Sequence, residues 1–381
     1  MMRSLVGFGF LLLLQVQCCL PCAVSRDQRS QVDRLLHEMI QAATAPGALP
    51  NPSVLLALRL SRNHNQSAEQ TLLRKLRQDA IDRVKNGRDF SSGLVALYAL
   101  AFRASCSDPR KVSANLDLVN LLEKKYKKEV ENIDKNKYPL TTYYQLSLCI
   151  LTLCQLHGDF SAAEVAKLLT RDEKIYSLGG QFNVDTAAVA TLALVCVQTV
   201  DKAELSPEDN QTIASTVEWL LKKILEEKRV DGIIGNIYST GLAMQALTVS
   251  RNYSTSASWN CSQTLDTVLS EVEKGSFDNP MAAAQIVPSL EGRTYLDVKR
   301  MYCSKGEAEN PILSATQSPI HHSPIDVTYT VVDGVNSSFS DSIKLSVPSG
   351  SVFIKVMEAA QNKDNGKFRY LHRGQGQPLS G

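Results

Sequence analysis

Asp185 is the single carboxylate of the stretch Asn183-Val184-Asp185-Thr186, which opens a long apolar run. One carboxylate falls short of the acidic DxDD cluster that protonates an alkene. It also falls short of the facing carboxylate pair that hydrolyses a glycoside. The sequence has no GCGEQ run to form an internal thioester, and no GxSxG, HExxH or phosphate-loop motif. Beyond the amino-terminal apolar region, no CxxC pair or spaced Cys/His cluster suits a structural zinc. The tandem His321-His322 lies in a Ser- and Pro-rich stretch and reads as solvated. Neither a catalytic site nor a metal site is expected.

The remaining polar groups suit binding. Thr141, Thr142, Tyr143, Tyr144 and Gln145 stand together at the start of one apolar segment. Asp185 and Thr186 start the next, then Asn236, Tyr238 and Ser239, then Asn279 with Gln285 further into its segment. Thr, Asp, Asn and Ser at such starts also serve as helix caps, and tyrosines as core packing. Capping does not account for Gln145 and Gln285, which lie inside apolar segments. Buried amides need partners, and an amide-rich ligand supplies them. Amide, hydroxyl and phenol groups around an apolar mouth hold a ligand better than they move protons.

The elements that carry these residues repeat. Small-residue-rich apolar segments start at Pro52, Gly93, Tyr143, Asp185, Ser239 and Asn279. They recur about every 40 to 55 residues, the spacing of two-helix repeats. Amphipathic segments alternate with them: 72–84, 116–130, 162–169, 213–225 and 265–272. A helix apolar all round must be buried, and an amphipathic one can cover it. Six inner helices with outer partners predict a mostly α chain folded as a closed six-fold α/α toroid. An open solenoid is the competing architecture. In a toroid the inner amino termini gather at one mouth.

Residues 304–324 are rich in Ser, Pro and Ala and read as a linker after a toroid spanning 21–303. From Ile325 the pattern alternates with period two. IDVTYTVV, a turn at Asp333-Gly334 and SIKLSV predict a hairpin. A capped helix in SGSVFIKVMEAAQN and a strand over KFRYL complete a ββαβ module at 325–381. The last residues, HRGQGQPLSG, carry no core pattern, so the module is expected to be incomplete.

Composition restricts the partners. Lys and Arg number 41 against 39 Asp and Glu, a formal charge of +2, which gives no electrostatic pull toward nucleic acid or an anionic membrane. Arg3 followed by the apolar run 5–16 is too short to span a bilayer and reads as a signal peptide over 1–20, cleaved between 18 and 23. The mature chain is therefore expected outside the cell, where disulfides and N-glycans form. Sequons stand at Asn65, Asn210, Asn252 and Asn336, and a fifth at Asn260 straddles Cys261. Cys106, Cys149, Cys154, Cys196, Cys261 and Cys303 allow fifteen pairings, with Cys22 at the edge of the signal. Cys149–Cys154 alone is removed, being about 7.5 Å apart along one helix.

YPLTTYYQ, FNVDTAAVATLAL and GNIYSTGLAMQAL, with the helix ending at Gln285, resemble the secreted cobalamin carriers: transcobalamin, intrinsic factor and haptocorrin. NPSVLLALRLS, GLVALYALAFRASC and VPSGSVFIKVMEAAQ extend the resemblance from Asn51 to Tyr370. It implies a toroid plus a small β-rich domain, with cobalamin as bound cargo in the cleft between them and uptake through a cell-surface receptor. It implies ligand contacts from Thr141, Thr142, Tyr143, Tyr144, Gln145, Asp185, Asn236, Ser239 and Gln285, with Asp185 accepting from a corrin side-chain amide. It also implies the disulfides Cys106–Cys303, Cys154–Cys196 and Cys22–Cys261, leaving Cys149 free. Gln181 stands where some transcobalamins carry a cobalt-coordinating His, which leans the resemblance toward haptocorrin and intrinsic factor. Leu94 replaces a ligand-contacting Gln, and the Gly-Pro-Tyr-like segment after the final strand is missing. The expectation is a monomeric, non-enzymatic cobalamin transporter. The alternatives are a folded fragment that holds no vitamin and a toroidal hydrolase or lyase.

Overall fold

The structure is a computed structural model that describes residues 22–45, 47–200, 205–253, 259–301, 303, 324–332, 339–348, 353–364 and 366–368. The signal peptide, most of the linker, the sequon at Asn336, the Asp333-Gly334 turn and the chain beyond Phe368 lie outside the described residues. The chain divides into two compact units, Met1–Glu309 and Asn310–Gly381.

The first unit alternates two kinds of helix. The inner set is α2 (Pro52–Leu60), α4 (Ser92–Ala104), α6 (Tyr143–Leu156), α8 (Val184–Val200), α10 (Ser239–Val249) and α12 (Pro280–Leu290). The outer set is α1 (Arg29–Thr44), α3 (Gln66–Lys85), α5 (Leu118–Asn136), α7 (Ala162–Leu168), α9 (Pro207–Glu226) and α11 (Cys261–Glu273). Each inner helix packs on the next, and α12 packs back on α2, so the ring is closed. The open solenoid is thereby excluded. The sequence patterns located five of the outer helices; α1 is the sixth, packed on α12, α11, α2 and α3.

Burial follows the two sequence patterns. Every residue of α6 from Leu146 to Gln155 is buried, whereas α5 buries only Leu118, Val119, Leu122, Tyr126 and Glu129. Each fully buried Leu or Ile contributes about 1.5–3 kcal/mol by leaving water. Where two inner helices cross closely, glycine is required. A Cβ on Gly241 of α10 would lie 2.1 Å from the Gln285 carbonyl oxygen of α12.

The ring is held at several points besides its core. Disulfides join Cys22 to Cys261, Cys106 to Cys303 and Cys154 to Cys196, the pairs that the family resemblance implies. Cys149 is free and buried, and burial pushes its thiol pKa well up. A 3₁₀ turn, Tyr295–Arg300, packs against the inner helices α4, α6 and α8. Two buried amides fix it: Gln245 Oε1 accepts from the Tyr295 N–H at 2.9 Å, and Gln155 Oε1 from the Lys299 N–H at 3.0 Å.

In the second unit β3 (Pro324–Val332) pairs antiparallel with β4 (Ser340–Pro348). The register sets Val327 opposite Leu345 and Tyr329 opposite Ile343. Alternation turns these side chains to one face, where Val356, Ala359 and Ala360 of α13 (Phe353–Lys363) and Phe368 cover them. Lys367 and Phe368 form a turn rather than the start of the expected strand. Phe368 instead packs its ring on Tyr329, with 5.7 Å between centroids.

Candidate functional site

The amino-terminal turns of the inner helices meet around a cavity of about 690 Å³, a volume in the range of small-molecule sites. All six inner helices contribute. Asn51 and Ser53 come from the start of α2, Thr142, Tyr143 and Tyr144 from α6, Asn183, Asp185 and Thr186 from α8, and Met281 and Gln285 from α12. Leu97 of α4 and Leu242 of α10 enter further along their helices.

Capping explains why these starts are polar. The side chain of Asn51 accepts from Ser53 N–H, Ser91 from Leu94, Thr142 from Gln145, Asn183 from Thr186, Asn236 from Ser239 and Asn279 from Met281. Caps therefore fall on Asn183 and Asn236, which leaves the carboxylate of Asp185 and the hydroxyl of Ser239 available for each other. Burial raises the Asp185 pKa, and the neighbouring Ser239 side chain partly opposes that rise.

The edge formed by Thr141 is built from behind. Glu129 of α5 is 2% exposed. Its carboxylate accepts from the Thr141 N–H at 3.0 Å, the Thr141 hydroxyl at 2.6 Å and the Ser92 hydroxyl at 2.6 Å. On the cavity wall, Tyr295 of the 3₁₀ turn joins Tyr144 near Asp185. Burial first, then the nearby Asp185 charge, pushes the Tyr295 phenol up to about 12. Burial pushes the Tyr144 and Tyr143 phenols up as well. All three tyrosines stay neutral at physiological pH, as hydrogen-bond donors on apolar rings.

The structure brings together Thr141, Thr142, Tyr143, Tyr144, Asp185 and Gln285 on this cavity. The Gln285 amide makes no hydrogen bond among the described residues and is exposed there. Gln145, Asn236 and Ser239 do not line it. Gln145 packs on Gly93 of α4, whose N–H donates to Gln145 Oε1 at 3.3 Å, so its amide already has a partner within the ring. Asn236 caps α10, and Ser239 supports Asp185. Leu94 packs into the core, and Gln181 is exposed on β2 (Gln181–Phe182). That strand pairs with β1 (Ser177–Leu178) through Gly179 and Gly180, both at positive φ, where glycine alone is unstrained.

Several lining residues escape pattern reading. Tyr138, Lys174, Ile175, Ser177 and Leu178 come from connections between helices, and Tyr295 from the 3₁₀ turn. The Gly-Gly pair flanked by Leu178 and Gln181 was the available signal for the hairpin. Asn65 and Asn252 are exposed, as a glycan acceptor must be. Asn210 is half-buried, and its Oδ1 accepts from Gln198.

A cavity built this way, amide-receptive and with Asp185 as its one carboxylate among the described residues, matches what known sequences show. The profile of the eukaryotic cobalamin-binding protein family matches residues 4–324. The chain belongs to that family. It is 36% identical to human transcobalamin-1 over 375 residues, covering 96% of this chain and 85% of the relative. It is 36% identical to mouse cobalamin binding intrinsic factor, covering 92% and 80%. The crystal structure of haptocorrin in complex with Cbi superposes with a TM-score of 0.66 at 35% identity, covering 93% of this chain and 86% of that one. These relatives are binding proteins, not enzymes, and haptocorrin gives the toroid-plus-β architecture a solved counterpart.

Proposed function

We propose that this chain is a secreted cobalamin carrier that holds the vitamin as cargo at the toroid mouth and delivers it to a cell-surface receptor. The observation that carries this reading is the 690 Å³ cavity, where inner-helix starts place neutral phenols, an unpaired amide and one semi-buried carboxylate. Corrin presents broad apolar faces and a fringe of side-chain amides. Tyr143, Tyr144 and Tyr295 offer surfaces for the faces. Asp185 accepts from a fringe N–H, and Gln285 both donates and accepts. Thr141 and Thr142 supply hydroxyls at the edge, while Gln145, Asn236 and Ser239 hold the wall in place. Each satisfied bond contributes about 1 kcal/mol, and a fringe amide buried without a partner costs more.

Secretion agrees with three disulfides and the apolar leader at 5–16. Among the described residues no helix is long and apolar enough to cross a membrane. We read 1–20 as signal, 21–303 as toroid, 304–324 as linker and 325–381 as the small domain. The carrier is read as a monomer, glycosylated at its exposed sequons. The test is the visible spectrum of the purified chain after incubation with cobalamin and desalting. Corrin absorbance should remain at one equivalent, and a colourless, folded protein would remove the reading.

A further inference from the structure

Among the described residues, Lys174 is the one cation on the cavity wall. Its surroundings leave it free. The neighbouring Glu173 carboxylate is taken by Lys223 of α9 at 2.9 Å. Asp172 uses a side-chain oxygen to accept the Lys174 backbone N–H at 3.0 Å. No carboxylate among the described residues pairs with the Lys174 ammonium. The backbone that carries it is fixed. Ile175 N–H donates to Asp172 O, Tyr176 N–H to Glu173 O and Asn183 N–H to Tyr176 O, and the Tyr176 ring packs on Trp219. Beside Lys174 the same wall offers the exposed Ser177 and the apolar Ile175 and Leu178. The amino termini of α2, α6, α8 and α12 also point their positive dipole ends toward this space.

We propose that Lys174 is the specificity-determining residue for negative charge on the corrinoid: its ammonium pairs with a ligand oxyanion. Two groups present that chemistry, the phosphodiester of the nucleotide arm and the carboxylate of a hydrolysed fringe amide. The inference rests on the carrier reading. An oxyanion carried into a partly desolvated cavity needs a charged partner, and this wall supplies one cation and directs its acidic neighbours elsewhere.

The experiment compares wild type, Lys174→Met and Lys174→Arg by equilibrium binding. The probes are cobalamin, cobinamide (which lacks the nucleotide arm) and a cobalamin monocarboxylate, at low and high salt. If the phosphodiester is read, Lys174→Met lowers the cobalamin-to-cobinamide affinity ratio about fivefold, the size of a solvent-screened ion pair. If a carboxylate is read, the ratio of monocarboxylate to cobalamin falls instead. Either result supports the inference, with Lys174→Arg restoring the ratio and high salt erasing the difference. Equal losses on all three probes, or none on any, overturn it and leave the carrier reading standing. A wild-type protein that takes up no corrinoid overturns the carrier reading, and this inference with it.

Discussion

Asp185 sits in the cavity wall at a cost to the fold. Burial raises its pKa, so the folded chain binds a proton there more tightly than the unfolded chain does. Its stabilising contribution is therefore full at acid pH and is lost as pH rises from the ordinary carboxylate value through the raised one. Above the raised pKa the ionised group opposes folding. Asp185→Asn should raise the melting temperature of ligand-free protein at pH 7 and flatten its acid-side pH dependence. The same change should weaken corrinoid affinity about tenfold, near the ~1.5 kcal/mol of a charged hydrogen bond. Calorimetry across pH with a binding titration checks both signs. Glu129 behaves differently, since it holds three donors and has no role on the cavity surface itself. Glu129→Ala leaves Ser92 and Thr141 to each other, and we expect a loss of ~3 kcal/mol in denaturant unfolding. These two residues also show what was legible. Asp185 stood out as a lone carboxylate opening an apolar run. Glu129 was one acid among many on an amphipathic helix, and only the packing of α5 against α4 and α6 turns it inward.

Helices with an unbroken apolar run were legible because nothing but burial accommodates them. Amphipathic helices were legible where charge and apolar residues kept helical spacing. The helix α1 obeys the same rule, with Val32, Leu35, Leu36, Met39 and Ala43 buried along one stripe. The 3₁₀ turn at Tyr295–Arg300 has no periodic signature, because buried amides of other elements hold it and its own pattern does not. Helix contact distance, likewise, is written in single glycines. Gly241→Ala would drive a methyl into the backbone of α12, which cannot swing aside, whereas Gly93→Ala meets the side chain of Gln145, with Cγ at 2.7 Å. We expect a cost of ~3 kcal/mol or more for Gly241→Ala and ~1 kcal/mol for Gly93→Ala. Gly241→Ala should also weaken corrinoid binding, since α10 and α12 both line the cavity. Parallel urea unfolding and ligand titration of the two variants checks the ranking, and equal costs would count against a backbone-limited crossing.

Closure makes the first unit a ring whose ends must meet, and the meeting place can be named. Cys22 is bonded to Cys261, the Val24 N–H donates to Leu290 O at 2.9 Å, and Arg29 grips the buried Glu291 through two hydrogen bonds of 2.6 and 2.5 Å. Chain positions more than two hundred residues apart are thus fastened beside α12, which in turn packs on α2. In an open solenoid the two ends lie apart and such contacts cannot form. In a closed ring they set the position of every helix start around the mouth. Removing one partner of a buried ion pair typically costs about 3–5 kcal/mol, and losing a native disulfide about 2–5 kcal/mol. Glu291→Ala and the double variant Cys22→Ser/Cys261→Ser should therefore each destabilise the unit by ~3 kcal/mol. The more telling readout is hydrogen exchange. Protection should fall first in α1, α12 and α2, while α6 and α8, on the opposite side of the ring, keep theirs. Corrinoid binding should restore protection at the seam, because a ligand that touches both α2 and α12 stabilises only the closed form. If protection instead falls evenly around the ring, the seam is no weaker than the other five junctions and closure is not its particular work.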